Sequence, residues 1–310
     1  LPDHNVVRPL VVHDWDALVV GKPHFDADGL IVAERDGRVV GFAHAGFGPV
    51  QPEGPSHRLD TSMGTIALLA LEPGLDDESL ERGLILEAER YLGRRGASVV
   101  YAGGRHPLDP FYWGLYGGSE FSGILSGHTA FHRAVQRSGY QAVSTAILLE
   151  LNLNQSEPRD PRMAALRRQT RFEAIEDNPP MGWWTAAAIG PFHPTYYRLV
   201  HRGDQKVLAS AMTWEIASEL GNGGPNRTAL ILVQVNPEWR RKGLGRLLSI
   251  EVLRHCREML GDIVCVQTLD TNEAALSLYE GLGFQRVDSA LLYRLPAELT
   301  HRGHGEATQE

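Results

Sequence analysis

Cysteine is almost missing from this sequence: Cys256 and Cys265 are the only two in 310 residues. Two are too few for a disulfide framework or a Cys-based metal site, which suits a reducing cytoplasm. No stretch approaches the ~18 consecutive apolar residues of a membrane helix. No run of more than three Lys or Arg occurs, and the 13 His form no H-E-x-x-H or comparable cluster. No secretory leader pattern opens the sequence, although residue 1 is Leu rather than Met, so that absence carries little weight. These gaps argue against membrane, disulfide-stapled, metal-dependent and nucleic-acid-binding classes. The expectation is a globular, cytoplasmic protein with no metal, no nucleic acid and no membrane partner.

What is present is a 43% apolar, 22% charged chain whose length predicts two domains. Charge is unevenly shared. Residues 1–153 hold 12 Lys and Arg against 19 Asp and Glu, whereas residues 154–310 hold 18 against 19. An apolar run ending in x-Pro occurs twice, at 65–73 and 228–237, and Pro73 and Pro237 are 164 residues apart. Residues 134–140 match 278–284, and 143–149 match 287–293, at an offset of 144. Two fixed offsets imply two homologous units, the first carrying 20 extra residues between its central strand and its last helix.

Each unit reads alike. Two β-rich runs, at 30–47 and at 196–216, flank Asp36-Gly37 and Gly203-Asp204, which are turn signals for hairpins. The strand ending at the proline comes next, then a helix at 80–92 or 244–260. In the latter, Leu244, Leu247, Leu248, Val252, Leu253, Cys256 and Leu260 recur at spacings of 3 and 4, an apolar face for a sheet. Strands at 98–101 and 263–269, a helix ending before Gly139 or Gly283, and a final strand complete the unit. The order predicts an α/β fold with a mixed sheet, divided near residue 154 into 1–153 and 154–310.

Between strand and helix of the second unit lies V-N-P-E-W-R-R-K-G-L-G, from Val235 to Gly245. Glycines let backbone approach a ligand, and free N–H groups at a helix start attract an anion, here beside Arg240, Arg241 and Lys242. Leu248 occupies the place of the third glycine of a dinucleotide fingerprint, so the loop is not of that type. The pattern V-x-P-x-x-R-x-x-G-x-G, followed by N-x-x-A-x-x-L-Y from Asn272 to Tyr279 and by Gly283-Phe284, resembles the GNAT-type N-acetyltransferases. The resemblance covers about 195–296 and, more loosely, 30–151. It implies two tandem GNAT-like domains, each a mixed central sheet flanked by helices. It also implies acetyl-CoA as co-substrate, its diphosphate on the amides of Arg241, Lys242, Gly243, Leu244, Gly245 and Arg246, with Arg240 adding charge. Asn272 would meet the cofactor arm, Tyr279 would act as general acid toward the departing thiolate, and a backbone N–H near Val235 would polarise the thioester carbonyl.

The first unit breaks this pattern. At the 164 offset, Asp76, Asp77, Glu78, Ser79 and Glu81 fall on Arg240, Arg241, Lys242, Gly243 and Gly245. Like charges 4 Å apart repel by roughly 1 kcal/mol in water and ~4 at an effective dielectric of 20, so acids facing a diphosphate should prevent binding. Acids at a helix start also cap its amides. His128 replaces Asn272 and Val135 replaces Tyr279, so the first unit is expected to be inactive.

The second unit departs too. Where family members often carry a basic Glu, this sequence has Gln234 and Gln267, leaving Glu215, Asp270 or a water chain as candidate bases. A recognition helix is expected only around 183–189. The extra segment, 103–123, places Phe111, Tyr112, Trp113, Tyr116 and Phe121 within eleven positions, either as packing or as the wall of a ligand pocket. The expected function is acetyl transfer to an amine of a small molecule or protein, by a monomer that is its own internal pseudo-dimer. A non-catalytic acyl-CoA-binding sensor or scaffold is the alternative.

Overall fold

The computed structural model describes residues 12–54, 56–109, 111–113, 118–120, 122–154, 163–176, 182–189, 192–216 and 225–304. The first half runs α1 (Val12–Trp15), β1 (Leu30–Arg35), β2 (Arg38–Pro49), β3 (Leu59–Leu71), α2 (Glu78–Arg94), β4 (Val99–Ala102), β5 (Ile124–Leu125), α3 (Thr129–Arg137) and β6 (Gln141–Asn152). The second continues with α4 (Met163–Gln169), β7 (Thr170–Ile175), α5 (Trp183–Ile189), β8 (Thr195–His201), β9 (Val207–Ile216) and β10 (Arg227–Val235). It closes with α6 (Leu244–Glu258), β11 (Ile263–Leu269), α7 (Glu273–Gly281) and β12 (Gln285–Arg294).

Both sequence offsets survive in three dimensions. Met63 pairs with Val99 as Arg227 pairs with Ile263, each 164 residues on, and α3 and α7 span equivalent positions 144 apart. The β1–β2 hairpin turns through Asp36 and Gly37 at φ of 53° and 76°, the doubly left-handed turn whose twist matches antiparallel strands. One detail of α6 differs from the sequence pattern. Leu260 lies beyond the helix, left-handed at φ 62° and 79% exposed, because Gly261 N–H returns to the Cys256 carbonyl at 2.9 Å and closes the end. Helix α4 and edge strand β7 add to the elements that the pattern indicated.

The strands form one mixed sheet in the order β1-β2-β3-β4-β12-β6-β11-β10-β9-β8-β7, with β5 on β12. Each half thus lends its last strand to the other: β12 lies against β4, and β6 against β11. The two lent strands pair with each other at Ala146 and Ala290, which are themselves 144 apart. Ile147 faces Ser289 and Thr145 faces Leu291, so a local two-fold passes through this pair. Apolar residues from helices and sheet make one core behind each half, and a third, shared core lies on the opposite face of the sheet.

Candidate functional site

The parallel pair β10–β11 sets the site. Hydrogen-bonded register holds only from Arg227 with Ile263 to Leu230 with Val266, after which the strands run on to Val235 and Leu269 unpaired with each other. A bulge accompanies the parting: register against β9 shifts between Ile231 and Gln234, and Leu232 has φ 52°. Beyond it, Asn236 N–H donates to the Leu208 carbonyl at 2.9 Å on the β9 side. Successive strand N–H groups point opposite ways, so that of Val235 faces the gap.

The loop after β10 closes with a short turn, Pro237–Trp239, and then reverses hand twice, at Arg241 (φ 59°) and Gly243 (φ 85°). Alternating backbone hand curls successive N–H groups into a concave nest, and a left-handed Arg costs about 1–2 kcal/mol unless the surroundings hold it. Gly243 is the N-cap of α6 and provides no side chain to satisfy the helix's first amides. Arg240, Arg241 and Lys242 are exposed around it. Arg240 Nε reaches the Val235 carbonyl at 3.2 Å, and the Lys242 ammonium lies 4.4 Å from the centre of the Trp239 ring. Leu244 is buried beneath the helix. A Cβ on Gly245 would stand 3.4 Å from Val235 and 3.7 Å from Leu278, ordinary contact, so this glycine keeps the helix face toward the gap bare rather than meeting a backbone constraint. Arg246 donates to the Gly281 carbonyl at 3.1 Å and ties α6 to the end of α7.

Helix α7 brings the other two residues of the motif. Asn272 is its N-cap, and its side-chain oxygen accepts from Ala275 N–H at 3.2 Å. Six positions into the helix, Tyr279 is buried, its ring 5.5 Å from that of Phe284. Burial first, and then the nearby Glu120 carboxylate, hold its phenol well above the usual tyrosine range, so it keeps its proton and can donate it.

A cationic loop whose helix start has no side-chain cap thus follows a parted strand pair, and a buried, protonated tyrosine lies on the next helix. The family model described as FR47-like protein matches residues 205–293. The mycothiol acetyltransferase of Nocardiopsis dassonvillei is 42% identical over 108 residues, 34% of this chain but only 33% of that protein's length. The mycothiol acetyltransferase of Geodermatophilus obscurus is 27% identical over 302 residues, 90% of this chain and 86% of that one. A tandem GNAT protein from the clavulanic acid biosynthesis pathway superimposes with a TM-score of 0.59 at 16% identity, covering 86% of this chain and 82% of that one. The chain has a tandem GNAT fold.

The first GNAT unit has the same frame with the site filled in. Helix α2 begins two residues earlier than α6 at the 164 offset, and Asp77, at the position of Arg241, is its N-cap, accepting from Leu80 N–H at 3.0 Å. That bond, then Arg35, hold its carboxyl below the usual range. Glu81, at the position of Gly245, is 1% exposed and receives the Arg133 guanidinium, which also reaches Asp76 at 3.0 Å. Val135 fills the tyrosine position with a fully buried side chain. His128 caps no amide with its side chain, and burial, then His132, depress its pKa to about 4.

The two candidate bases lie at opposite ends of the strand pair. Glu215 pairs across from Thr228, at the closed end of the strand pair, and is exposed. Its position in sequence, at the end of a strand run, does not show which end of the sheet it occupies. Asp270 is exposed past β11, its N–H bound to the Thr145 carbonyl at 3.0 Å. Gln234 is exposed and Gln267 buried.

The extra segment of the first GNAT unit lies across both units. Phe111, Tyr112 and Trp113 are buried in the shared core, so they pack rather than wall an open pocket; Tyr116 and Phe121 lie outside the described residues. Tyr112 hydroxyl bonds His44 at 2.8 Å, while Trp113 meets Trp214 of the second unit at 6.0 Å between ring centres. Trp184, in the expected helix α5, donates to buried Asp109 at 3.2 Å, and Trp214 donates to the Ser119 carbonyl at 3.1 Å. Glu120, a residue that sequence reasoning did not single out, is placed beside Gln267 by this docking. Its partner is 147 positions away, and no local pattern marks it.

Proposed function

We propose that the protein is an acetyl-CoA-dependent N-acetyltransferase, with the acetyl donor in the second unit and an amine as acceptor. The observation that carries this reading is the contrast between an uncapped, cationic helix start that opens on a parted strand pair and its copy, where Asp77 and Glu81 take the same places. Arg240 to Arg246 would hold the diphosphate on backbone N–H groups and positive charge. Acetyl-CoA, when bound, supplies an activated acyl group. The chain's own part is to point the Val235 N–H at the carbonyl oxygen and the Tyr279 hydroxyl at the departing sulfur, whose conjugate acid ionises near ~8.5, as thiols do. A retained, buried tyrosine favours transfer over mere sensing, which would need only the loop. Relatives named mycothiol acetyltransferase support a small molecule as acceptor.

The reading includes two halves, 1–153 and 154–310, that act as one body, since each completes the other's sheet; a monomer then already contains its pseudo-dimer. No helix among the described residues is long and apolar enough to cross a membrane. Both cysteines are free and buried, with burial pushing each thiol up to about 12. The two free thiols support a reducing compartment, the cytoplasm. The test is release of free CoA thiol from acetyl-CoA over a panel of amines: amine-dependent turnover supports the reading, and tight binding without turnover against any amine contradicts it.

A further inference from the structure

The second unit lacks a base where its fold would hold one. An ammonium acceptor must lose a proton before its nitrogen can attack, and Gln234 and Gln267 cannot take it. What lies on Gln267 is the segment lent by the first unit. Glu120 N–H donates to Gln267 Oε1 at 3.0 Å, and a Cβ on Gly118 would come within 2.0 Å of the same oxygen, so no side chain fits between them. Ser119 is held between, its carbonyl bound by Trp214. Three successive residues are thus fixed against β9 and β11, on the face of the sheet opposite the helix that carries Tyr279.

Glu120 borders a cavity of about 140 Å³ together with Arg105, His106, Ser122, Thr268 and Leu269. That is room for a few waters or an amine head group, at ~30 Å³ per water. Charged neighbours come from both sides. Asp109 is 1% exposed and held by His106 at 3.6 Å. Burial, then Asp109, raise the Glu120 carboxyl to about 7, and His106 opposes them. Beside it, Gln267 Nε2 and Ser119 Oγ are buried without a hydrogen-bond partner among the described residues. Buried polar atoms are nearly always paired, so each of these two, on the residue before Glu120 and on the residue that Glu120 N–H contacts, calls for a polar partner.

We propose that Glu120, carried by the inactive first unit, is the general base for the amine acetylated in the second, with Gln267 and Ser119 hydrogen-bonding the acceptor beside it. The inference rests on the acetyltransferase reading. Glu120 takes one proton from the ammonium and later passes it to water. A carbon–nitrogen bond forms at the thioester carbonyl as the carbon–sulfur bond breaks. Tyr279 gives its proton to the sulfur and regains one from the nitrogen of the new amide. The net products are amide, free thiol and one proton.

The test compares the full-length parent with Glu120→Gln and Glu120→Asp, using glucosamine and a short peptide with a free α-amine as protonated acceptors, and aniline as one already neutral at the assay pH. For whichever protonated acceptor the parent uses, Glu120→Gln is expected to lower kcat/KM by ~10²-fold or more. The acidic limb near pH 7 should vanish, while acetyl-CoA affinity stays within twofold. Glu120→Asp should restore the limb in part, and aniline should suffer far less. A carbon-13 carboxyl resonance titrating near 7 in the parent and absent from Glu120→Gln gives a readout independent of turnover. A parent that transfers acetyl groups while Glu120→Gln does so equally, limb intact, overturns the base and leaves the acetyltransferase reading standing. A parent that binds acetyl-CoA and acetylates nothing overturns both.

Discussion

Helices α2 and α6 follow equivalent strands, in equivalent register, and their first turns have opposite chemistry. In α6 the cap is a left-handed glycine, and no side chain caps the first amides. In α2 the helix starts half a turn earlier, Asp77 satisfies an amide and Glu81 is locked to Arg133. The same frame therefore carries either an uncapped, cationic helix start or one that supplies its own negative charge, depending on a few residues. The copy with the acidic helix start has other work: it lends β6 to the second unit's sheet and sets residues 118–120 on Gln267.

The sharpest way to break the contrast is to convert one loop toward the other. Gly245→Glu places a carboxylate where Glu81 stands in the copy, without Arg133 to pair with it, and acetyl-CoA affinity should fall by at least ~10³-fold, given ~4 kcal/mol per close like-charge pair. Isothermal calorimetry reads this directly. Glu81→Gln, by contrast, should cost roughly 2–4 kcal/mol of stability, less than a fully buried pair because Arg133 is 32% exposed, and leave affinity for acetyl-CoA unchanged. Denaturant titration and calorimetry on the same samples separate the two effects.

Trp113→Ala tests the segment that joins the units. Its side chain is packed in the shared core, so the loss should be about 3–5 kcal/mol in chemical denaturation rather than a selective rise in acceptor KM. A variant as stable as the parent would show that the segment is only loosely docked. Tyr279→Phe should slow single-turnover acetyl transfer by ~10²-fold with acetyl-CoA affinity retained. The corresponding Val135→Tyr should restore nothing, because the first unit's loop is occupied by its own carboxylates.

The last expected effect concerns acid. Burial, then neighbouring His24, hold His44 down at about 3, while the unfolded side chain takes up a proton near 6.5. The unfolded state therefore binds more protons between those values, and stability is full above ~6.5 and falls as the pH drops toward 3. His128 adds the same slope down to about 4. Glu120 acts in the other direction: its raised carboxyl gives stability that is present below ~4.5 and lost as pH climbs through 7. Denaturation midpoints across this range should be steeper on the acid side in the parent than in His44→Asn.

Much of this contrast was legible in the residues. Offsets of 164 and 144 located equivalent strands and helices, and the substitution of acids for the cationic loop foretold a filled site. Three features were not. Strand β7, Thr170–Ile175, alternates Phe172 and Ala174 with charged residues, but six residues beside an irregular join give little period to read. The exchange of β6 and β12 leaves no local trace, since an apolar strand pairs equally well with either half. Glu120 lies in a glycine-rich stretch whose aromatics draw attention first, and its meaning depends on Gln267, on a strand of the other unit.

The most direct test of the account is the number of acetyl-CoA molecules that one chain binds. Two copies of the fold are present, and of the equivalent helices α2 and α6 only α6 begins without a side-chain cap. Isothermal calorimetry of the full chain should give a stoichiometry near one, abolished by Gly245→Glu. Two equivalent sites per chain, or one that survives Gly245→Glu, would contradict it.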